Sequence, residues 1–179
     1  MRNLQKIADN LDRAQRDFLV AADAVDATDW IQRPGQDRWS AGEVVAHLIG
    51  VEKTILKNAG NLLQAAPRPR PLLKRIHFPL FMVEARVIRR KTPIPIQPDS
   101  IRPKEEMLAE LRSTRERTQT FMKETRGKDL RVYHMPHPFL GTLDLYEWFQ
   151  MIASHELRHT KQMREISTFL QKAVANSHK

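Results

Sequence analysis

Three histidines have the spacing and surroundings of metal ligands. His155 and His159 lie four residues apart, so both imidazoles share one face of a predicted helix, about one turn apart. His47 falls on the apolar stripe of another predicted helix. A buried imidazole without a hydrogen bond costs on the order of 1 to 3 kcal/mol, whereas a shared metal satisfies one nitrogen on each ring. The pattern favours a metal site; the alternative is three core histidines bonded to Tyr, Ser or water.

A site of three histidines would leave coordination positions open. Such an arrangement is typical of a centre that activates water or a substrate heteroatom, and not of a closed structural site. The chain contains no cysteine, so only His, Asp or Glu could act as ligands. His134 and His137 could supply a fourth ligand from a loop, but the prolines beside them predict a rigid turn that keeps them away.

Acidic and amide side chains near these histidines could assist the chemistry. The weak catalytic candidates are Glu156, Gln162 and Glu52. Of the groups one turn from the ligands, we expect Glu43 to cap a helix and Glu52 to face solvent, while Gln162 could either be exposed or orient an imidazole. Two tryptophans lie near the predicted ligands: Trp39 directly before the second helix and Trp148 on the fourth helix. Both are expected to line the core or a cleft wall.

The segment HELRH, residues 155–159, also matches the H-E-x-x-H pattern of zinc metalloproteases. That function is disfavoured because no third protease ligand follows at a suitable spacing. Glu156 lies about 100° around the helix from His155. We therefore expect it to be exposed or to support a ligand, and not to act as a general base.

Four long helices are predicted to position the histidines. The first covers residues 3–25, and the second begins with an S-x-x-E capping box formed by Ser40 and Glu43. The third starts at Ser100 or a neighbour and ends at Gly127, and the fourth follows a cap at Thr142. Residues 129–141 are predicted to form a loop, and no segment shows the alternation of a strand. The expected fold is all-α, a four-helix bundle over a single domain, residues 1–179.

A long crossover separates the second and third helices. Residues 67–103 contain eight prolines, and residues 72–90 could form one or two short helices broken near Pro79. Basic residues cluster in the same segment, at residues 68–75 and 86–91. A solvated surface is the favoured interpretation of these charges, because no nucleic-acid recognition motif accompanies them.

Two separated motifs resemble the DinB/YfiT-like metal-binding bundles. The segment WSAGEVVAHLIGVE, residues 39–52, is similar to the family's entry into its second helix and contains His47. The segment HPFLGTLDLYEWFQMIASHELRHTKQ, residues 137–162, is similar to its final loop and helix with the remaining two histidines. The resemblance implies a four-helix bundle with a divalent metal, nickel or zinc, in a cleft at one end. It also implies a metal-dependent hydrolase or a transferase that uses a small thiol, without deciding between them.

Composition limits the remaining possibilities. The net charge of +9 leaves open a basic nucleic-acid-binding protein, which we consider the weaker alternative. A non-catalytic, stress-related helical module stabilised by a structural metal is the other alternative. No apolar leader or membrane-length apolar run is present, so we expect a cytoplasmic protein that meets no membrane. The substrate is expected to be an unknown small molecule, and a homodimer is compatible with the pattern.

Overall fold

The computed structural model describes residues 4–66, 101–138 and 140–177. Four α-helices occupy these ranges: α1 (Leu4–Asp23), α2 (Ala41–Gln64), α3 (Lys104–Glu124) and α4 (Leu145–Ser177). The described ranges do not include Ser100, His77 or His178, nor the proposed short helices of the Pro-rich crossover. No helix within the described ranges is both long and apolar enough to cross a bilayer.

The four helices form a closed ring. The most extensive packing pairs α1 with α4 and α2 with α3, and further contacts join α2 to α4 and α1 to α3. The amphipathic sequence of each helix explains this arrangement, because its apolar stripe must be buried against two neighbours. The all-α bundle predicted from the sequence is confirmed.

The core consists of two apolar clusters stacked along the bundle. The first, centred on Phe149, contains the N-terminal half of α1 and the first turns of α4. The second, centred on Phe18, contains the N-terminal half of α2 and the last turns of α4. Buried polar residues lie at the level where the clusters meet: Glu52, Thr114, Arg115, Thr118, Ser154, Glu156, His159 and Thr160. The candidate site belongs to this polar layer.

The helix that carries His47 starts as predicted. Ser40 Oγ accepts a hydrogen bond from the Glu43 backbone N–H at 3.2 Å, and a Glu43 carboxylate oxygen accepts one from the Ser40 backbone N–H at 2.8 Å. Both bonds satisfy donors that lack a partner in the first turn of a helix. The third helix starts later than predicted, at Lys104 after Pro103, with Glu105 and Glu106 in its first turn.

The prediction of a loop over residues 129–141 is wrong. This stretch contains a 3₁₀ turn at Leu130–Val132 and strand β1 (His134–His137), which pairs antiparallel with β2 (Gly141–Asp144). Gly141 has a φ of 85°, a conformation that favours glycine and closes the turn. Four residues per strand are too few to show an alternating pattern, so the sequence signal was absent.

The predicted cap at Thr142 is wrong as well, because Thr142 lies within β2. Asp144, the residue directly before α4, caps this helix instead. Its Oδ1 accepts a hydrogen bond from the Glu147 backbone N–H, and Glu147 Oε2 accepts one from the Asp144 backbone N–H, both at 2.9 Å. The D-x-x-E spacing in the sequence is the same reciprocal cap as S-x-x-E.

Candidate metal centre

His47, His155 and His159 meet at one point in the bundle. Nε2 of His155 lies 3.2 Å from Nε2 of His47 and 3.1 Å from Nε2 of His159. One ligand nitrogen of each ring lies within 4.8 Å of those of the other two. His47 and His159 are buried, while His155 is partly exposed. Among the described residues, no Asp, Glu or further His joins this group.

Gln162 orients the ring of His159. Its Oε1 lies 2.9 Å from His159 Nδ1. A carboxamide oxygen only accepts hydrogen bonds, so Nδ1 carries a proton, and in the neutral ring Nε2 of His159 then keeps its lone pair. Of the two roles considered for Gln162, orientation of an imidazole is the one that this geometry supports.

The other two rings are held neutral by burial. Burial lowers the pKa of His47 to about 4. Burial, with the charges that His159 and His47 would carry, lowers the pKa of His155 well below its usual value. Removal from water disfavours the charged imidazolium, so neither His47 nor His155 carries a second proton near neutral pH.

The protons available cannot satisfy all the contacts between the rings. When all three rings are neutral and Nε2 of His159 has no proton, a single proton on His155 or on His47 can bridge only one of the two contacts at Nε2 of His155. The other contact then has no proton shared between its two nitrogens. Two nitrogens bound about 2.0 to 2.1 Å from one metal at angles of 90° to 109° stand roughly 2.8 to 3.4 Å apart. The observed 3.1 and 3.2 Å fall in that interval, so the three residues fit a divalent ion.

Trp39 covers one side of the cluster. Its ring stacks on His159 with an interplanar angle of 10° and lies 5.0 Å from the His47 ring centroid. Trp39 is partly exposed and packs against the rings of His47 and His159. Trp148 is buried, and its indole N–H donates to the Met135 carbonyl. Nδ1 of His47 is buried and has no hydrogen-bond partner among the described residues.

The hairpin histidines do not join the cluster. His137 Nδ1 accepts a hydrogen bond from the Leu140 backbone N–H at 3.1 Å, and burial lowers the pKa of His137 to about 4. A neutral ring that accepts through Nδ1 must carry its proton on Nε2, so neither nitrogen has a lone pair free for a metal. His134 lies on β1 opposite Asp144. Neither hairpin histidine belongs to the group of described residues that could share an ion.

The acidic candidates do not face the imidazoles. Glu52 was expected to be exposed, but it is 2% exposed and its carboxylate binds Arg115 through two hydrogen bonds of 2.9 and 3.0 Å. Glu156 is 1% exposed, and its Oε2 accepts a bond from Arg115 at 2.9 Å. The side chain of Glu156 therefore points into the bundle, which removes the metalloprotease role. Glu43 caps α2 and also pairs with Arg33.

Arg115 is the residue that sequence reasoning missed. It is one of several basic residues along the third helix, yet it is 1% exposed. Burial acts to lower its pKa, but the charges of Glu156 and Glu52 outweigh that effect and raise it. Burial raises the pKa of Glu156 to about 7, against the opposing effect of Arg115. Its position on the inward stripe, four residues after Leu111 and three before Thr118, was the available signal.

The fold and the site define a helical bundle whose polar middle layer holds three converging histidines. The chain belongs to the DinB superfamily, whose family model matches residues 10–163. It is also 29% identical over 144 residues to the uncharacterised protein YuaE of Bacillus subtilis strain 168, a match that covers 79% of this chain and 85% of that protein. No solved structure gives a significant match. The resemblance implied a cleft at one end of the bundle, whereas the histidines lie where the two apolar clusters meet.

Proposed function

We propose that the chain is a metal-dependent enzyme, a hydrolase or a thiol-dependent transferase, that binds one divalent ion through Nε2 of His47, His155 and His159. The observation that carries the proposal is the convergence of three histidine Nε2 atoms, with that of His155 3.2 Å from that of His47 and 3.1 Å from that of His159. A shared cation would satisfy all three nitrogens with coordination bonds. Neutral imidazoles suit zinc or nickel among the common divalent metals.

The exposure of the site favours chemistry over a purely structural metal. Structural zinc sites are closed by four protein ligands, and only three are within reach among the described residues. His155 is partly exposed, and so is the Trp39 wall beside it, so a small molecule can approach the histidines. A divalent ion held by three neutral nitrogens supplies Lewis acidity toward water, a thiol or a carbonyl group.

The chain's own residues would prepare this site in three ways. Gln162 holds His159 in the tautomer with a free Nε2 lone pair. Burial keeps His47 and His155 unprotonated at neutral pH, so protons do not compete with the ion. Trp39 gives the cleft an apolar wall against which the carbon skeleton of a substrate could pack.

Elemental analysis of purified protein, with single histidine variants, tests the proposal. We expect about one zinc or nickel per chain in the wild type and in His134→Gln, a control histidine outside the cluster. His47→Ala should lose the metal while it remains folded by circular dichroism. Metal at a hundredfold excess over its dissociation constant should stabilise the wild type by about 2.7 kcal/mol and leave His47→Ala unchanged.

Activity screening separates an enzyme from a metal-stabilised module. Esters, amides and conjugates of small thiols would be tested with metal-loaded wild type and with His47→Ala. Turnover that requires both metal and His47 supports the enzyme. Stoichiometric metal without turnover of any of these classes would favour the non-catalytic module, and equal metal content in wild type and His47→Ala would refute the site.

A further inference from the structure

Arg115 lies at the centre of the bundle and contacts all four helices. Its Nη1 donates to the Leu11 carbonyl on α1 at 2.6 Å, and its Nε and Nη2 donate to both carboxylate oxygens of Glu52 on α2. Nη2 also donates to Glu156 on α4 at 2.9 Å. Arg115 itself belongs to α3. One guanidinium therefore ties together every long helix described in the structure.

Stability alone does not account for such a network. Three ionisable side chains that are 1 to 2% exposed have lost their hydration, and for their charged forms this cost often exceeds the attraction between the charges. Apolar residues of similar volume commonly give an equal or higher stability at such positions. The better-attested role of a buried polar network is to specify one alignment of helices among several that apolar packing would accept.

The network joins the two helices that carry the histidines. The most extensive packing pairs α1 with α4 and α2 with α3, so His47 belongs to one pair and His155 and His159 belong to the other. Glu52 follows His47 by five residues on α2, and Glu156 follows His155 directly on α4. When Arg115 binds both carboxylates, it fixes the two ligand-bearing helices relative to each other within about two turns of the ligands.

A metal centre requires that alignment more strictly than the apolar core does. A helix that slips by one residue moves about 1.5 Å and turns about 100°, and apolar side chains can adjust to smaller shifts by changing rotamer. Metal-to-ligand distances tolerate only about 0.2 Å. A guanidinium that binds one carboxylate through two hydrogen bonds and a second carboxylate through one has a fixed planar geometry, so it can impose such a tolerance on the helices that hold it.

We propose that Arg115, through Glu52 and Glu156, is a positioning residue that sets the alignment of α2 and α4 required for His47 to meet His155 and His159. The inference rests on the proposed metal function and adds a residue that does not touch the ion. It predicts that metal affinity and coordination geometry depend on the network, while the stability of the metal-free bundle does not.

The test replaces the whole network at once. Arg115→Met alone would leave two buried carboxylates without a partner, so the informative variant is Glu52→Met/Arg115→Met/Glu156→Met, which replaces the charged groups with apolar side chains of similar length. Co²⁺ is the probe, because its visible absorption reports ligand geometry. We expect a melting temperature of the metal-free variant equal to or above that of the wild type, a 10- to 100-fold weaker affinity for Co²⁺, and an altered Co²⁺ spectrum.

Two further variants complete the design. Lys53→Met/Glu110→Gln removes a partly exposed ion pair between α2 and α3 and should bind Co²⁺ as the wild type does. Arg115→Lys retains the charge but cannot make the paired hydrogen bonds, so we expect an intermediate loss of affinity for Co²⁺. If the triple variant does not fold, Arg115→Lys alone tests whether the network positions the histidines. Wild-type affinity and spectrum in the folded network variants would overturn this inference alone. A wild type that takes up no Co²⁺, Zn²⁺ or Ni²⁺ would overturn the proposed function and this inference with it.

Discussion

Protonation of His137 should destabilise the bundle in mild acid. Nδ1 of His137 accepts the Leu140 backbone N–H, and the ring lies 5.1 Å from the ring of Trp148. Burial lowers the pKa of His137 from its ordinary 6.5 to about 4. A proton added to Nδ1 would abolish this hydrogen bond and charge a ring that is largely removed from water, so the folded state resists protonation.

The size and sign of the effect follow from the difference between the folded and unfolded pKa. One pKa unit corresponds to about 1.4 kcal/mol, so a fall from 6.5 to about 4 sets an upper limit of roughly 3 kcal/mol. His137 is partly exposed, and solvent screening reduces this to about half. Between pH 6.5 and pH 4 the unfolded chain binds more protons than the folded chain. The contribution is therefore complete above pH 6.5 and is lost as the pH falls toward 4.

Urea unfolding of chelator-treated protein at pH 7.5 and pH 5 measures this contribution. The matched variant is His137→Asn, whose carboxamide oxygen can accept the same backbone N–H but does not titrate. We expect the free energy of unfolding of the wild type to fall by about 1 kcal/mol more than that of His137→Asn between the two pH values. Equal losses in the two proteins would refute the assignment of His137 as a neutral acceptor.

Two further predictions concern the site and the helix that carries His47. Gln162→Leu removes the acceptor for His159 Nδ1 and should weaken metal binding about 10- to 100-fold in a chelator competition titration, whereas Gln162→Glu, which retains an acceptor, should not. If both variants bind metal as tightly as the wild type does, Gln162 does not determine the tautomer of His159. Gly42→Ala would place a Cβ 2.9 Å from Ile101 Cγ2 and should destabilise the fold by roughly 1 to 3 kcal/mol in urea unfolding. Gly50 lies on the same helix, and a Cβ added there would have no neighbouring atom within 4 Å, so Gly50→Ala should stabilise the fold by about 0.5 to 1 kcal/mol. If both variants change the free energy of unfolding in the same direction, the close approach at Gly42 is disproved.

Local sequence determined the helices and the identity of the candidate ligands. The capping box at Ser40 and the four-residue spacing of His155 and His159 depend only on neighbouring residues, so their geometry is decided within one turn of helix. The position of His47 on an apolar stripe predicted that it would face the interior, and it does. These features are confirmed because helical periodicity converts sequence spacing directly into a shared face.

Only the tertiary structure decided which polar residues support the site. Glu52 and Arg115 occupy different helices 63 residues apart. The inward stripe could place Arg115 in the interior, but it could not say which partners Arg115 meets there. The packing of four helices offers Arg115 two carboxylates and a carbonyl in place of water. The short hairpin before α4 also depends on pairing between strands, since a strand of four residues forms only where a partner completes its hydrogen bonds.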